Sequence, residues 1–407
     1  MQNASKIDGE ESTTPTLVPR LRNTEERDRR VSSVELFFDL VFGLAFTQVT
    51  TFWLEHTSWG GLGRGLLVLA VLWWVWASYA WLTNATNAEA GVVTTVVLIA
   101  TGALFIAALS VPDALGSHRL LFALALFIVL VTFVGLYALV SRDVPDQLAA
   151  VLRMSRTELT GGALILGAAF TPAGVRIGLW AVAFVVGLFG PLLWGLGGWR
   201  VQPAHFAERH SLIIIIALGE SLGAIGFGAR NTALGFHVVF AAVLGLLVAA
   251  SLWLAYFDFA STSVRGLLTE RRGEQRAAFA RDAYTYAHLP MVVGIILFAF
   301  AMRVTLANPS MELKLIPAVA LCWGCALYLL AFVWLRWRAS KTLGVGRPVA
   351  AIGFLLITPA ATALPALAAI GLVAAVWICL HAYELLWWRE ERAQRRATVA
   401  SDAVIDD

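Results

Sequence analysis

Two apolar stretches of this chain carry acids where acids are costly. Residues 35–42, ELFFDLVF, hold Glu35 and Asp39. A spacing of four is about one helical turn, so both carboxylates fall on one face. Residues 205–221, HFAERHSLIIIIALGES, place His205, Glu208, Arg209 and His210 at the start of a second apolar run. Glu220 follows His210 by ten residues, roughly 15 Å along a helix axis. Desolvated carboxylates of this kind take up protons or bind cations. A metal site is not expected, because the five-residue spacing of His205 and His210 suits one helical face poorly.

The elements that must hold these groups are set by composition. Hydrophobic residues are 59% of the chain and charged residues 14%, with a mean hydropathy of +0.75. Soluble domains hold roughly 45–50% apolar and about 25% charged residues. The excess predicts an all-α integral membrane protein, a polytopic helical bundle whose helices are apolar all round. Many of the 16 tryptophans, Trp53, Trp81 and Trp199 among them, lie near the ends of apolar runs, as interfacial belts require. The net charge of +3 is therefore not a nucleic-acid signal. Cys322, Cys325 and Cys379 sit inside apolar runs and give no disulfide framework. No cleavable signal peptide is visible, and nothing calls for a cofactor.

Runs of about 20 residues, enough for a bilayer crossing, appear near 34–54, 62–82, 92–111, 119–140, 175–197, 211–229, 236–258, 283–307 and 315–335. Residues 154–172 are short and polar at the start, and 348–388 hold one kinked helix or two. Positive charge arbitrates. With 154–172 as a span and 348–388 as two, there are twelve helices, within a range of 10–12. The outer side then keeps Arg64, Arg119, Arg176, Arg230, Arg303 and Lys314, and the other 24 of the 30 basic residues lie inside. Both termini are cytoplasmic in this reading. Residues 1–30 and 389–407 are expected to be tails around a transmembrane domain of 31–388, with possible halves 31–200 and 201–388. Residues 261–282 predict a short basic amphipathic helix on the inner surface.

In this topology Glu35 is an interfacial acid at a helix start, and Asp39 lies one to two turns deep in the span. Asn84 ends the second span on the same side, Glu158 opens the fifth and Asp258 closes the eighth. His288 is about two turns into the ninth. His381 and Glu384 make an interfacial contact in the last. Glu220 is nearest mid-membrane, among Gly219, Ser221, Gly223, Gly226 and Gly228, small residues that admit a neighbouring helix closely.

The two acidic stretches also resemble the low temperature requirement protein A family of bacterial membrane proteins. WASYAWLTN (76–84) and YAHLPMVVGIIL (286–297) fit that family in order, and the likeness runs from about Val31 to about Trp388. It implies a multi-span protein of the bacterial cell (inner) membrane, with no settled molecular activity. Glu35, Phe37, Phe38, Asp39, His205, Glu208, Arg209, Gly219, Glu220, His288 and Pro290 are the residues it carries over. Ser211 stands where a glycine is expected. FFDLVFGLAFTQ is similar as well to the first-helix signature Phe-Ser-Asp-x-Val-Phe-Ala-Ile of a potassium channel family. There Ser33 replaces that family's arginine and Phe38 its serine, and no second copy occurs at the seventh span.

The leading expectation is a transporter-like protein with Glu220 as a membrane-embedded proton or cation site and Asp39 and Glu35 lining its cytoplasmic vestibule. His210, Arg209, Glu208, His205, His288 and Asn84 are the remaining candidates. Its partners are the lipid bilayer and a small solute, proton or cation. A passive cation channel and a membrane lipid-modifying enzyme are the alternatives. The acids and histidines match no catalytic motif, so the expectation is that the protein is not an enzyme.

Overall fold

A computed structural model describes residues 30–230 and 232–387, without the side chains of 259–263 and 387. The expected tails lie outside the described residues apart from Arg30. Among the described residues the fold is all-α, with one isolated β-bridge between Glu312 and Pro365. The helices are α1 (Ser33–Glu55), α2 (Trp59–Ala85), α3 (Gly91–Ser110), α4 (Arg119–Ser141), α5 (Pro145–Ala168), α6 (Ala173–Leu193), α7 (Pro203–Ala229) and α8 (Phe236–Leu254). Two short helices, α9 (Ser261–Glu270) and α10 (Gly273–Ala280), follow where one amphipathic helix was expected. The rest are α11 (Ala287–Ala307), α12 (Leu315–Ser340), α13 (Gly346–Leu356), α14 (Thr358–Ala363) and α15 (Ala366–Trp387).

Eleven of the described segments are long and apolar enough to cross a membrane, with α13 and α14 counted as one. Residues 348–388 thus divide into two spans, and Pro365, which cannot extend α14, marks the break. α5 is not among the eleven, because Asp146, Gln147, Arg153, Arg156 and Glu158 dilute its apolar character. It is nevertheless 24 residues long and packs between α4 and α6. Its role in the topology follows from α1 and α7. Glu35 meets His205 and Thr50 meets Glu220, each pair separated by 170 positions in the chain, so the two helices run parallel in register. Parallel entry requires an odd number of crossings between them, and α5 makes five with α2, α3, α4 and α6. The helix also begins at Pro145 rather than at the expected 154, and α7 begins at Pro203 rather than 211.

Lipid as solvent explains the outward faces. Leu98, Ile99, Phe105, Ile106 and Leu109 are exposed on α3, as are Leu36, Phe37 and Leu40 on α1. The opposite face of α1 buries Glu35, Phe38, Asp39, Phe42 and Phe46. α2, α11 and α12 are the most enclosed helices. α11 is preceded by a widened π-helical turn, Arg281–Tyr286, and contains Pro290. Proline lacks the N–H that would bond the Tyr286 carbonyl, and a local π turn accommodates the defect.

α11 and α12 cross at two glycines. A Cβ on Gly294 would lie 2.5 Å from the Gly324 carbonyl oxygen, and one on Gly324 would lie 2.8 Å from that of Gly294. Close backbone approach of this kind replaces the hydrophobic drive that lipid does not supply. Gly294→Val is expected to destabilise the protein by about 1–3 kcal/mol or more through overpacking. Gly135→Ala, where added atoms meet open space, should leave the thermal unfolding midpoint in detergent unchanged or raised.

Candidate functional site

The expected acids converge on one guanidinium. Glu35 is the third residue of α1 and accepts hydrogen bonds from the Ser32 N–H at 2.9 Å and the Ser32 hydroxyl at 2.7 Å. This reciprocal cap fixes the helix start. Glu35 is also fully buried against neighbouring helices, at the helix start where it was expected. Its Oε1 faces Arg209 Nη1 at 3.3 Å and His205 Nε2 at 3.0 Å. One turn on, Asp39 Oδ1 accepts from Arg209 Nη2 at 2.9 Å and from Trp76 Nε1 at 2.8 Å. Arg209 Nη1 also donates to the Thr83 hydroxyl. Phe38 and Trp76 lie within 5.8 and 6.0 Å of the guanidinium carbon, measured to their ring centres. Asp39 Oδ2 and Arg209 Nε are buried with no hydrogen-bond partner among the described residues.

His205 is held between Asn84 and Glu35. Asn84 Oδ1 accepts from the Gln202 N–H at 2.9 Å, so Nδ2 is the amine; it donates to the Gln202 carbonyl at 3.0 Å and lies 3.2 Å from His205 Nδ1. His205 Nε2 is directed at Glu35. Two carboxylates share the Arg209 guanidinium inside a span.

His210 turns away from this cluster. Its Nδ1 donates to the Phe206 carbonyl at 2.9 Å, and Nε2 has no partner among the described residues. Its ring lies edge-on to Trp76 at 4.9 Å and to His288 at 5.1 Å. His288 accepts from the Tyr256 hydroxyl at 2.8 Å and donates from Nδ1 to the Ala283 carbonyl at 3.1 Å. Both imidazoles are neutral members of an aromatic layer.

Glu220 lies three turns beyond Arg209 on α7 and is 7% exposed. Its Oε1 accepts from the Thr50 hydroxyl at 2.9 Å, and its Oε2 from the Thr47 hydroxyl. Arg303 of α11 reaches Thr50 at 3.2 Å and Thr51 at 3.0 Å, so its charge stands one hydroxyl away from the carboxylate. Between the two clusters the α1–α7 seam is filled by Phe42, Phe46, Ile213 and Ala217, all buried.

The structure thus unites Glu35, Asp39, Asn84, His205 and Arg209, sets His210 and His288 beside them, and holds Glu220 apart on the same seam. Glu208 is exposed and accepts from the Val31 N–H at 3.3 Å. Away from the seam, His381 and Glu384 are 3.7 Å apart, and Arg347 binds Glu384 at 2.9 Å. Sequence reasoning missed Ser32, Trp76, Thr83, Thr47, Thr50 and Arg303 as partners. Helical phase could have found Thr50, which lies 11 residues after Asp39 and so almost directly above it.

Long apolar helices, apolar outward faces and charges paired between helices define a polytopic all-α membrane protein, with multiple spans. The model of the bacterial low temperature requirement A protein (LtrA) family matches residues 30–382, and the chain belongs to that family. It is similar to the uncharacterized protein RA0937 of Rhizobium meliloti (strain 1021), 28% identical over 389 residues, which span 88% of this chain and 90% of the relative. No solved structure matches it.

Removing one member of a buried ion pair costs about 3–5 kcal/mol, because the partner is left uncompensated. Arg209→Met should lower the thermal midpoint accordingly, and Arg209→Met with Asp39→Leu should recover part of the loss. A double variant whose loss equals the sum of the two single losses would show that Asp39 and Arg209 are not coupled.

Proposed function

We propose that the protein is a secondary transporter-like membrane protein whose α1–α7 seam takes up and releases a proton or small cation. The supporting observation is the second oxygen of Asp39: Glu35 and Asp39 share Arg209, and Asp39 Oδ2 is buried with no hydrogen-bond partner among the described residues. An uncompensated carboxylate inside a membrane span favours a proton or a cation as its partner. Glu220, held by two hydroxyls and facing Arg303 only across Thr50, is the second station.

The packed residues between the stations favour stepwise transfer with helix movement over a standing pore. Binding and release at these acids need no catalytic step, and the protein is read as a non-enzyme. The bacterial inner membrane is its proposed location, with the α1 N-terminus cytoplasmic; the 24 to 6 division of basic residues supports that orientation.

Purified protein in liposomes with a trapped pH indicator tests the reading. An imposed proton gradient should dissipate on addition of Na⁺ or K⁺, and Glu220→Gln should slow this at least about tenfold with an unchanged unfolding midpoint. Glu220→Gln at the wild-type rate, or a wild-type protein silent to protons, Na⁺ and K⁺, would overturn it. A green fluorescent protein fused to either terminus should fluoresce in cells, as a cytoplasmic end requires.

A further inference from the structure

The opposite face of α2 meets a further carboxylate, on α5, that the seam does not use. At 100° per residue, Trp74, Ser78 and Trp81 lie on one side of α2, while Trp76 and Thr83 point toward Arg209 on the other. On the first side, Glu158 of α5 is 4% exposed. Its Oε1 accepts from Trp74 Nε1 at 3.0 Å and lies 3.4 Å from the Ser78 hydroxyl. Its Oε2 is buried with no partner among the described residues.

Glu158 and Trp74 are shared by two clefts. The first, a half-open cleft, is at the end of the bundle where α1 begins, and Trp81, Trp199 and Phe133 form its aromatic walls. Trp81 donates to the Thr285 hydroxyl at 3.0 Å and meets Trp199 edge-on at 5.3 Å, which fixes both rings. Arg281 also borders this cleft, but its guanidinium is engaged by Asp282 at 2.7 Å. The second cleft, also half open, is lined by Leu126, Leu130, Ile165 and Phe184. Gly161 and Gly162 lie on its α5 wall, where a side chain on Gly162 would meet Leu130 at 2.8 Å.

A carboxylate with a free oxygen among tryptophans is the chemistry that holds a substituted ammonium group, by charge and by cation–π attraction. An apolar cleft leading from the same carboxylate suits an alkyl chain. We infer that the Glu158 clefts bind an amphiphilic amine, its ammonium group on Glu158 among the tryptophans and its alkyl chain in the second cleft. The site is separate from the α1–α7 seam and does not depend on ion coupling there.

Radiolabelled dodecyltrimethylammonium, below its micellar concentration, provides the probe, with the full-length protein in nanodiscs and empty nanodiscs as background. Wild type should bind it saturably. Glu158→Gln, which retains an acceptor for Trp74, should bind at least about tenfold more weakly, the loss expected for one desolvated charge contact. Dodecyl maltoside, an uncharged molecule with the same tail, should compete at least about tenfold less well than the unlabelled cation. Equal binding by a folded Glu158→Gln, equal competition by the maltoside, or no saturable binding above background would each overturn the assignment. If the variant does not fold, the competition on wild type decides alone.

Discussion

One guanidinium organises this bundle. Arg209 reaches α1 through Glu35 and Asp39 and α2 through Thr83, so three helices from both halves of the chain meet at a single charge. In a lipid environment helix association gains little from apolar burial, and polar contacts and close packing must set the register. An arginine with a fixed planar fork does this better than a lysine, since each nitrogen demands its own direction. The match of Glu35 with His205 and of Thr50 with Glu220 is the consequence: once Arg209 is seated, α1 and α7 are aligned along their length.

Around that charge the protein arranges layers of different character. Trp76 lies beside the cation at the end where α1 begins, with the His210 ring edge-on against it. A packed apolar stretch follows, then the hydroxyls that hold Glu220. Farther out, glycines let α11 and α12 touch backbone to backbone. The α11 helix, which lies against both α7 and α1, therefore transmits position between the seam and the rest of the second half.

Much of this was legible in the residues. Composition predicted the all-α membrane bundle, and the spacing of Glu35 and Asp39 predicted a shared face, which the structure contains. The burial of Glu35 was not legible, because a helix-start acid reads the same whether it faces a headgroup or an arginine 174 positions away. The polar opening of residues 154–172 concealed a longer helix, whose charged first half leaves Asp146 and Arg156 exposed and buries Glu158. Partners such as Trp76, Thr50 and Arg303 are ordinary residues for a membrane helix until tertiary packing aims them. Pairings between distant helices are set by the whole bundle and leave only a helical phase in the sequence.

The two-sided loading of α2 has a mechanical meaning. Trp76 and Thr83 clasp the arginine network, while Trp74 and Ser78 hold Glu158 on the far side. A rigid rod gripped on both sides cannot turn about its axis to relax one grip without twisting the other. Any screw motion of α2 is therefore felt at both carboxylate sites at once, and a load that stiffens one side holds the other still.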